Sequence, residues 1–348
     1  MAAGDFTNSE LLETRLKAEQ YWKNAQNSAT YAPQAAAAQA VLANQTMHFS
    51  EFEDENKDRK VRVTWIDACG VEVDDCVSNC DITAPELESK SKLYVPDICK
   101  QVGFSVDVTK LRTNEYTSDE VIMKGFASRI KALDEFWARQ ILVKLAGYAG
   151  INVAPAPYTF DVANMTTNIP AAQYNLKMLA NLLQQAALNR MPDNYIIENG
   201  ALWVEMLNAN FDAGNFDGKG DAARLSALQK LLTNDQFNFA AAGLTEDLFL
   251  IGKGAVAFQT HNKVKKEVVD IGGKVGIKTF QTPSIALPGV SYDTHYTVTC
   301  QTINNQAHYF HTWRFETHGI VALNPEGCPV TVGGNVYTPT GVLSYTKQ

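Results

Sequence analysis

The chain has 348 residues, and its 38 acidic residues outnumber its 30 basic residues, which gives a formal charge of -8. This length exceeds what one hydrophobic core usually spans, so we expect two lobes or one elongated subunit. An acidic surface does not neutralise phosphates, so the composition disfavours tight nucleic-acid binding.

The composition is that of a globular protein, with 45% hydrophobic and 20% charged residues. No apolar stretch approaches the roughly 20 residues needed to cross a bilayer, and the N-terminus lacks the regions of a signal peptide. We therefore expect a protein made in the cytoplasm, with no membrane partner. Its six cysteines are too sparse for a disulfide scaffold, so we expect packing thiols.

Residues 1–50 are predicted to form an N-terminal arm. Thr7 and Glu10 have the spacing of a capping box, which predicts a helix over the following residues. The alanine-rich run from Ala35 to Ala40 favours helix but has little to bury. The sequence therefore predicts an arm outside the core, ordered only against a neighbouring subunit.

Residues 51–108 are predicted to form an extended hairpin with a polar tip. The β-prone run Val61–Ile66 follows a mixed-charge stretch, and β-prone residues around Leu93–Val95 and Phe104–Val108 return the chain. Because such a hairpin has little core of its own, its charged base is a candidate contact between subunits. The candidate residues there are Glu51, Glu53, Asp54, Lys57, Arg59 and Lys60.

A long helix is predicted from Thr117 to Gly147. Thr117 and Glu120 again have capping-box spacing, and apolar residues recur every three or four positions. The resulting apolar stripe extends over about 42 Å, so a sheet or a partner must lie along it. Its members are Ile122, Phe126, Ile130, Leu133, Trp137, Ile141 and Leu145.

The middle of the chain is predicted to be a compact α/β lobe, and the last part is rich in strands. The lobe contains predicted helices at Pro170–Asn189, Ala201–Asn210 and Ala222–Leu232 and strands at Tyr195–Ile197, Leu248–Ile251 and Ala255–Thr260. Two long strands, Tyr296–Ile303 and Tyr309–Leu323, are joined at Asn304–Gln306. A Gly-Gly-Asn turn at 333–335 predicts a terminal edge hairpin.

No pattern in the sequence predicts a catalytic, cofactor-binding or metal site. The cluster of Cys69, Cys76, Cys80 and Cys99 lacks the spacing of a zinc finger. His308 and His311 fall on opposite faces of a predicted strand, which makes them poor co-ligands. The loop Asn215–Asp221 lacks the ligand set of a calcium loop, and phosphate-binding and hydrolase motifs are missing. We therefore expect a protein that is not an enzyme.

The order of these elements resembles the major capsid protein of tailed bacteriophages, whose α+β fold, the Hong Kong 97-like capsid fold, is shared with herpesvirus shells and encapsulins. The stretches that carry the resemblance are Val61–Val108 (extended loop), Thr117–Gly147 (spine helix), Tyr195–Trp203 (axial strand and helix) and Trp313–Pro325 (closing strand).

The resemblance implies a division into five segments. These are an arm at 1–50, an extended loop at 51–108, a peripheral domain at 109–160 and 289–327, an axial domain at 161–288, and a C-terminal edge hairpin at 328–348. It also implies that axial loops meet at fivefold and sixfold centres, with Asp212, Asp217, Lys219 and Asp221 as candidate contacts.

The implied function is self-assembly into hexamers and pentamers of an icosahedral head that encloses double-stranded DNA. The implied partners are other copies of the chain, a separate scaffolding protein, a portal, decoration proteins and DNA packaged without sequence-specific binding. The location would be the virion, assembled in the host cytoplasm. Three alternatives stay open: an encapsulin-like cargo compartment, a tail or portal component, and a cytoplasmic enzyme with an unrecognised α+β fold.

Overall fold

The computed structural model describes residues 6–24, 30–47, 49–53, 59–66, 89–111, 117–152, 157–191, 193–212, 231–271, 277–324, 330–332, 335–337 and 339–348. The helices in these ranges are α1 (Asn8–Lys23), α2 (Ala36–Asn44), α3 (Val108–Leu111), α4 (Ser118–Tyr148), α5 (Met178–Leu188), α6 (Ala201–Asp212) and α7 (Gln236–Ala242).

The strands in the same ranges are β1 (Phe49–Glu53), β2 (Arg59–Ile66), β3 (Ser89–Tyr94), β4 (Ile98–Asp107), β5 (Thr159–Asp161), β6 (Thr166–Ile169), β7 (Asn194–Glu198), β8 (Leu232–Asn234), β9 (Leu248–Gly252), β10 (Val256–His261), β11 (Val269–Asp270), β12 (Ile277–Pro283), β13 (Ser291–Ile303), β14 (Gln306–Leu323), β15 (Val330–Val332), β16 (Asn335–Tyr337) and β17 (Val342–Lys347). Helices and sheets are thus mixed, and the α+β class is as the sequence predicts.

The chain divides into two compact units. The first contains residues 1–39, 96–139 and 259–320, and the second contains residues 40–95, 140–258 and 321–348. Residues 259–288, which the sequence analysis assigns to the axial domain, therefore lie in the first unit, where β12 pairs with β13. The division into five segments otherwise stays a prediction.

A six-stranded sheet organises the first unit. Its order is β10-β14-β13-β12-β11, and β4 pairs with β14. The predicted turn between β13 and β14 is confirmed, because Asn304 and Asn305 both have positive φ, at 50° and 59°, as a tight two-residue hairpin requires. β14 is an interior strand of this sheet, since it pairs with β13 on one side and with β4 on the other.

The predicted long helix is α4, and its apolar stripe packs on this sheet. Thr117 and Glu120 form the predicted capping box at its start. In the first unit, the Phe126 ring lies 4.9 Å from that of Phe315, and Trp137 Nε1 donates a 2.9 Å hydrogen bond to Thr317 Oγ1. Helix and sheet together supply the core of this unit.

The N-terminal arm packs on its own chain, so the expectation that it stays outside the core is wrong. Leu11 is fully buried and Trp22 is 5% exposed. Arg15 Nη1 donates a 3.1 Å hydrogen bond to the carbonyl of Gln281 in β12. The Phe6 ring lies 5.0 Å from that of His311 in β14. The arm is therefore anchored on its own chain by a few buried side chains and by contacts with β12 and β14.

The predicted extended hairpin is only partly correct. β2 pairs with β1 and with β3 in a separate three-stranded sheet, which we call the edge sheet. The expected return strand at Phe104–Val108 falls in β4 and pairs instead with β14, with Phe104 opposite Trp313. The Phe104 ring stacks on Trp313 at 5.1 Å, so aromatic packing draws β4 into the first unit.

A second six-stranded sheet, with order β5-β6-β17-β9-β7-β8, organises the second unit. The terminal hairpin exists as β15 and β16, but the segment after it, β17, is not an edge strand. β17 lies between β6 and β9, and Val342–Tyr345 are buried. A run of four buried residues needs neighbours on every side, which explains why this segment is central rather than peripheral.

Leu11→Ala should destabilise the isolated subunit by about 2–5 kcal/mol, because it removes a buried anchor of the arm. The matched control is Leu12→Ala, since Leu12 is 41% exposed, and it should change the free energy of unfolding by less than about 0.5 kcal/mol. Urea unfolding of the unassembled chain measures both. Equal, small effects would show that the arm does not pack on its own subunit.

Ending the chain at Gly341 should abolish cooperative folding of the second unit, because β17 pairs on both sides in its sheet. Lys347→Ala is the control, since it shortens an exposed side chain and leaves the backbone pairs of β17 in place. Calorimetry and proteolysis of the purified chains compare the two. A truncated chain with wild-type unfolding would contradict the central position of β17.

Candidate assembly interface

The edge sheet has two outer strands, β1 and β3, on either side of β2. β2 is its central strand, with Val61 opposite Tyr94 on one side and opposite Glu51 on the other. Val61 and Val63 are each 3% exposed. Among the described residues, the outer edges of β1 and β3 pair with no further strand. The sheet therefore presents two open backbone edges.

The side chains of β3 are largely exposed. Its first five residues are exposed, and Leu93 retains 49% of its accessible surface. At its end, Tyr94 Oη donates a 3.0 Å hydrogen bond to the carbonyl of Leu323, and burial raises the pKa of Tyr94. This contact fixes one end of β3 while the rest of its length stays accessible.

The two outer strands differ in charge. β1 has the sequence Phe-Ser-Glu-Phe-Glu and β3 has the sequence Ser-Lys-Ser-Lys-Leu-Tyr. β1 therefore contributes Glu51 and Glu53 and no basic residue, whereas β3 contributes Lys90 and Lys92 and no acidic one. Both strands run antiparallel to β2 and hence parallel to each other. The sheet has an acidic edge and a basic edge.

Four of the residues predicted to make inter-subunit contacts lie in this sheet. Glu51 and Glu53 are in β1, and Arg59 and Lys60 begin β2, where they pair with Glu53 and Phe52. Asp212 is the last residue of α6. The other predicted contacts lie outside the described residues, namely Asp54, Lys57, Asp217, Lys219 and Asp221. The basic strand β3 is absent from the sequence-based set, although its alternating lysines were the available signal.

The predicted axial strand and helix, Tyr195–Trp203, form a strand–turn–helix held by one buried carboxylate. Glu198, at the end of β7, is fully buried and accepts hydrogen bonds from the backbone N–H groups of Gly200, Leu202 and Trp203, at 2.8–3.2 Å. Burial raises the pKa of Glu198, and these hydrogen bonds lower it, with a net rise. Gly200 has φ +102°, which favours glycine.

This arrangement gives Glu198 a structural role, because it satisfies N–H groups that the first turn of α6 leaves without partners. Its signal in the sequence is an acidic residue placed directly before Asn-Gly at the start of a helix. The residue pattern predicts the strand, the turn and the helix, but not the role of Glu198.

Of the histidines and clustered cysteines tested above as metal ligands, the structure describes His308, His311 and Cys99. His308 Nδ1 lies 2.7 Å from Asp107 Oδ2, and His311 Nδ1 lies 2.8 Å from Tyr296 Oη. Cys99 lies in β4, whereas Cys69, Cys76, Cys80 and the loop Asn215–Asp221 lie outside the described residues. None of the described helices is long and apolar enough to cross a membrane.

No protein-family model and no curated protein matches the sequence. The chain is similar to several solved phage structures. The cyanophage Pam1 capsid is 11% identical with a TM-score of 0.44, and the match covers 83% of this chain and 84% of that one. The cyanophage P-SCSP1u capsid is 9% identical with a TM-score of 0.41, covering 83% of both chains.

A structure from Mycobacterium phage Che8 is 10% identical, with a TM-score of 0.39, over 86% of this chain and 93% of that one. At these identities and TM-scores, the function proposed below rests on the chain's own strand edges.

Glu198→Ala should lower the free energy of unfolding by about 3 kcal/mol, because it leaves three buried or half-buried N–H groups without their acceptor. Glu267→Ala is the control for loss of an exposed carboxylate and should have almost no effect. Urea unfolding at neutral pH measures both variants. A stability loss no larger than that of the control would contradict the capping role of Glu198.

Proposed function

We propose that the chain is the major capsid protein of a tailed phage, which assembles into hexamers and pentamers of an icosahedral shell around double-stranded DNA. The observation that carries this proposal is the edge sheet, with an open acidic edge at β1 and an open basic edge at β3. Exposed strand edges are templates for pairing with another chain.

The two edges favour a ring rather than a symmetric dimer. The lysines of β3 repel a second β3, and the carboxylates of β1 repel a second β1, so like edges do not pair well. The acidic edge of one copy instead suits the basic edge of the next. Such a head-to-tail contact between different surfaces generates a ring when the rotation closes, as fivefold and sixfold rings do.

The energy of one such contact is small, and many contacts accumulate in a shell. Each backbone hydrogen bond contributes about 0.5–1.5 kcal/mol net, and an exposed ion pair contributes up to about 1 kcal/mol. Because every subunit in a ring makes the contact twice, multivalency stabilises the whole without any strong individual contact. Weak contacts also allow misplaced subunits to leave.

The charge of the chain is compatible with DNA as contents rather than as a specific ligand. The formal charge of -8 limits adhesion of the shell to a polyanion that must move during packing. A separate scaffolding protein, a portal and decoration proteins are the further partners of this proposal, with assembly in the host cytoplasm and the virion as the final location. The predicted axial contacts at Asp212, Asp217, Lys219 and Asp221 stay part of it.

Charge reversal on one edge should block assembly, and reversal on both edges should restore it. Variant one carries Lys90→Glu and Lys92→Glu, and variant two carries Glu51→Lys and Glu53→Lys. Each alone juxtaposes like charges at every contact and should remain unassembled in sedimentation velocity and electron microscopy. The fourfold variant again has edges of opposite charge and should assemble.

A mixture of variants one and two makes the test stricter. Each contact then joins one copy of each variant, so alternating rings close only with an even number of subunits. The mixture should form sixfold rings but no closed icosahedral shells, which need fivefold rings. Lys265→Glu with Lys266→Glu is the control, since both lysines are exposed in the first unit, and this variant should assemble normally.

Wild-type assembly by variants one and two would overturn the role of the edges. A wild-type chain that stays monomeric under all conditions would overturn the capsid proposal itself and favour an enzyme. Closed shells that hold a cargo protein instead of DNA would favour the encapsulin-like alternative, and rings or tubes without shells would favour a tail or portal component.

A further inference from the structure

The two faces of β14 have different characters. Trp313, Phe315 and Thr317 face the core under α4, as their contacts with the helix show. Because side chains alternate along a strand, Glu316 and His318 lie on the opposite face. Cys99 of β4 is directly opposite His318 in the strand register. A thiol, a carboxyl group and an imidazole therefore share one patch outside this core.

The ligand atoms of these three residues are close together. Cys99 Sγ lies 4.0 Å from His318 Nε2, and His318 Nε2 lies 2.6 Å from Glu316 Oε1. All three atoms lie within 4.8 Å of one another. Cys99 is a free, exposed cysteine, whereas His318 is 6% exposed. The patch is thus open at the thiol and enclosed at the imidazole.

This spacing is close to that of a tetrahedral zinc site. With Zn–S near 2.3 Å and Zn–N near 2.0 Å, sulfur and nitrogen ligands stand roughly 3.6 Å apart. The Cys99–His318 pair is within half an ångström of that value. For a zinc ion to replace the proton between them, His318 Nε2 and Glu316 Oε1 have to move apart by less than about 1 Å from their present 2.6 Å separation.

A buried carboxylate lies next to Cys99, Glu316 and His318. Asp293 of β13 is directly opposite Glu316 and is only 2% exposed. Its Oδ2 accepts a 2.7 Å hydrogen bond from Lys263 N–H, and the backbone N–H of Val264 also interacts with this carboxylate, while Oδ1 has no partner of good geometry among the described protein atoms. A buried oxygen without a donor is costly, and a nearby cation or its bound water offsets that cost.

Two further imidazoles border the patch. His295 Nε2 lies 3.5 Å from Glu316 Oε2, and the His261 ring lies 5.6 Å from that of His318. His318 and His295 contact different oxygens of the Glu316 carboxyl group, since His318 Nε2 lies 2.6 Å from Oε1.

We propose that Cys99 Sγ, His318 Nε2 and Glu316 bind one zinc ion, with the fourth position open to water. Binding displaces the thiol proton of Cys99 and the proton between His318 and Glu316. The ion joins β4 to β14 across one strand pair and so stabilises the docking of β4 in the first unit. Cysteine, histidine and carboxylate are the usual zinc ligands, and thiolate disfavours magnesium and calcium.

The test uses the full-length chain, purified without a chelator and dialysed against zinc. Since Cys69, Cys76, Cys80 and Cys328 lie outside the described residues, each variant is made both in the wild-type chain and in a background with those four changed to serine. Metal content, zinc titration calorimetry and cobalt spectra are measured. We expect one zinc per chain in both backgrounds and a thiolate-to-cobalt charge-transfer band.

Cys99→Ser and His318→Gln should each weaken zinc binding by more than the roughly 10- to 100-fold loss typical of outer-shell changes, and Cys99→Ser should remove the cobalt band. Cys300→Ser is the control, since Cys300 is the other free, exposed cysteine of the first unit, and it should bind zinc normally. Zinc should raise the unfolding temperature of the wild type and of the control only.

Three results would overturn the proposal: a chain that retains no zinc, full zinc binding by Cys99→Ser, or equal loss in Cys99→Ser and Cys300→Ser. Where the serine background fails to fold, the same comparison in the wild-type background decides, because Cys69, Cys76, Cys80 and Cys328 are unchanged across its variants. None of these outcomes depends on whether the chain assembles into shells.

Discussion

The packing of α4 on β14 is the interaction on which the first unit depends. β14 pairs with β13 on one side and with β4 on the other, and its aromatic face lies under the long helix. Strand alternation then places Glu316 and His318 away from that helix, where they meet Cys99. One strand therefore supplies both the core and the polar patch, and a one-residue slip in register would exchange the two faces.

Burial of the arm changes the physical description of the subunit. An arm that ordered only against neighbours would pay its conformational entropy during assembly and weaken each contact. Because Leu11, Trp22 and Phe6 already pack on the same chain, the arm loses its conformational entropy when the subunit folds and not when subunits assemble. In the proposed assembly, the remaining contact is between the edges of β1 and β3, which already belong to a paired sheet in the subunit.

The parts of the fold that the sequence predicted are those with a local signal. Capping boxes at Thr7 and Thr117, the apolar stripe of α4 and the Asn304–Asn305 turn are determined by residues close in sequence. The placement of β4 and β17 is not, because each pairs with strands distant in the chain, and period-two patterns do not identify a partner. The Cys99–Glu316–His318 cluster was missed for the same reason, since register alone brings residues 219 apart into contact.

The charge difference between the edges of the edge sheet also limits what the sheet does in the free subunit. Open edges are an aggregation hazard, and lysines on an edge strand are a common protection against it. In the proposed assembly, the same lysines of β3 would repel a second β3 but attract the acidic strand β1, and would thus discriminate between contacts rather than prevent all of them. Electrostatic discrimination is screened by salt over about 8 Å at physiological ionic strength, so it acts once edges are close, where register is chosen. In the proposed assembly, the register of the paired edges fixes the rotation from one copy to the next, and a head-to-tail contact gives a ring only where that rotation closes.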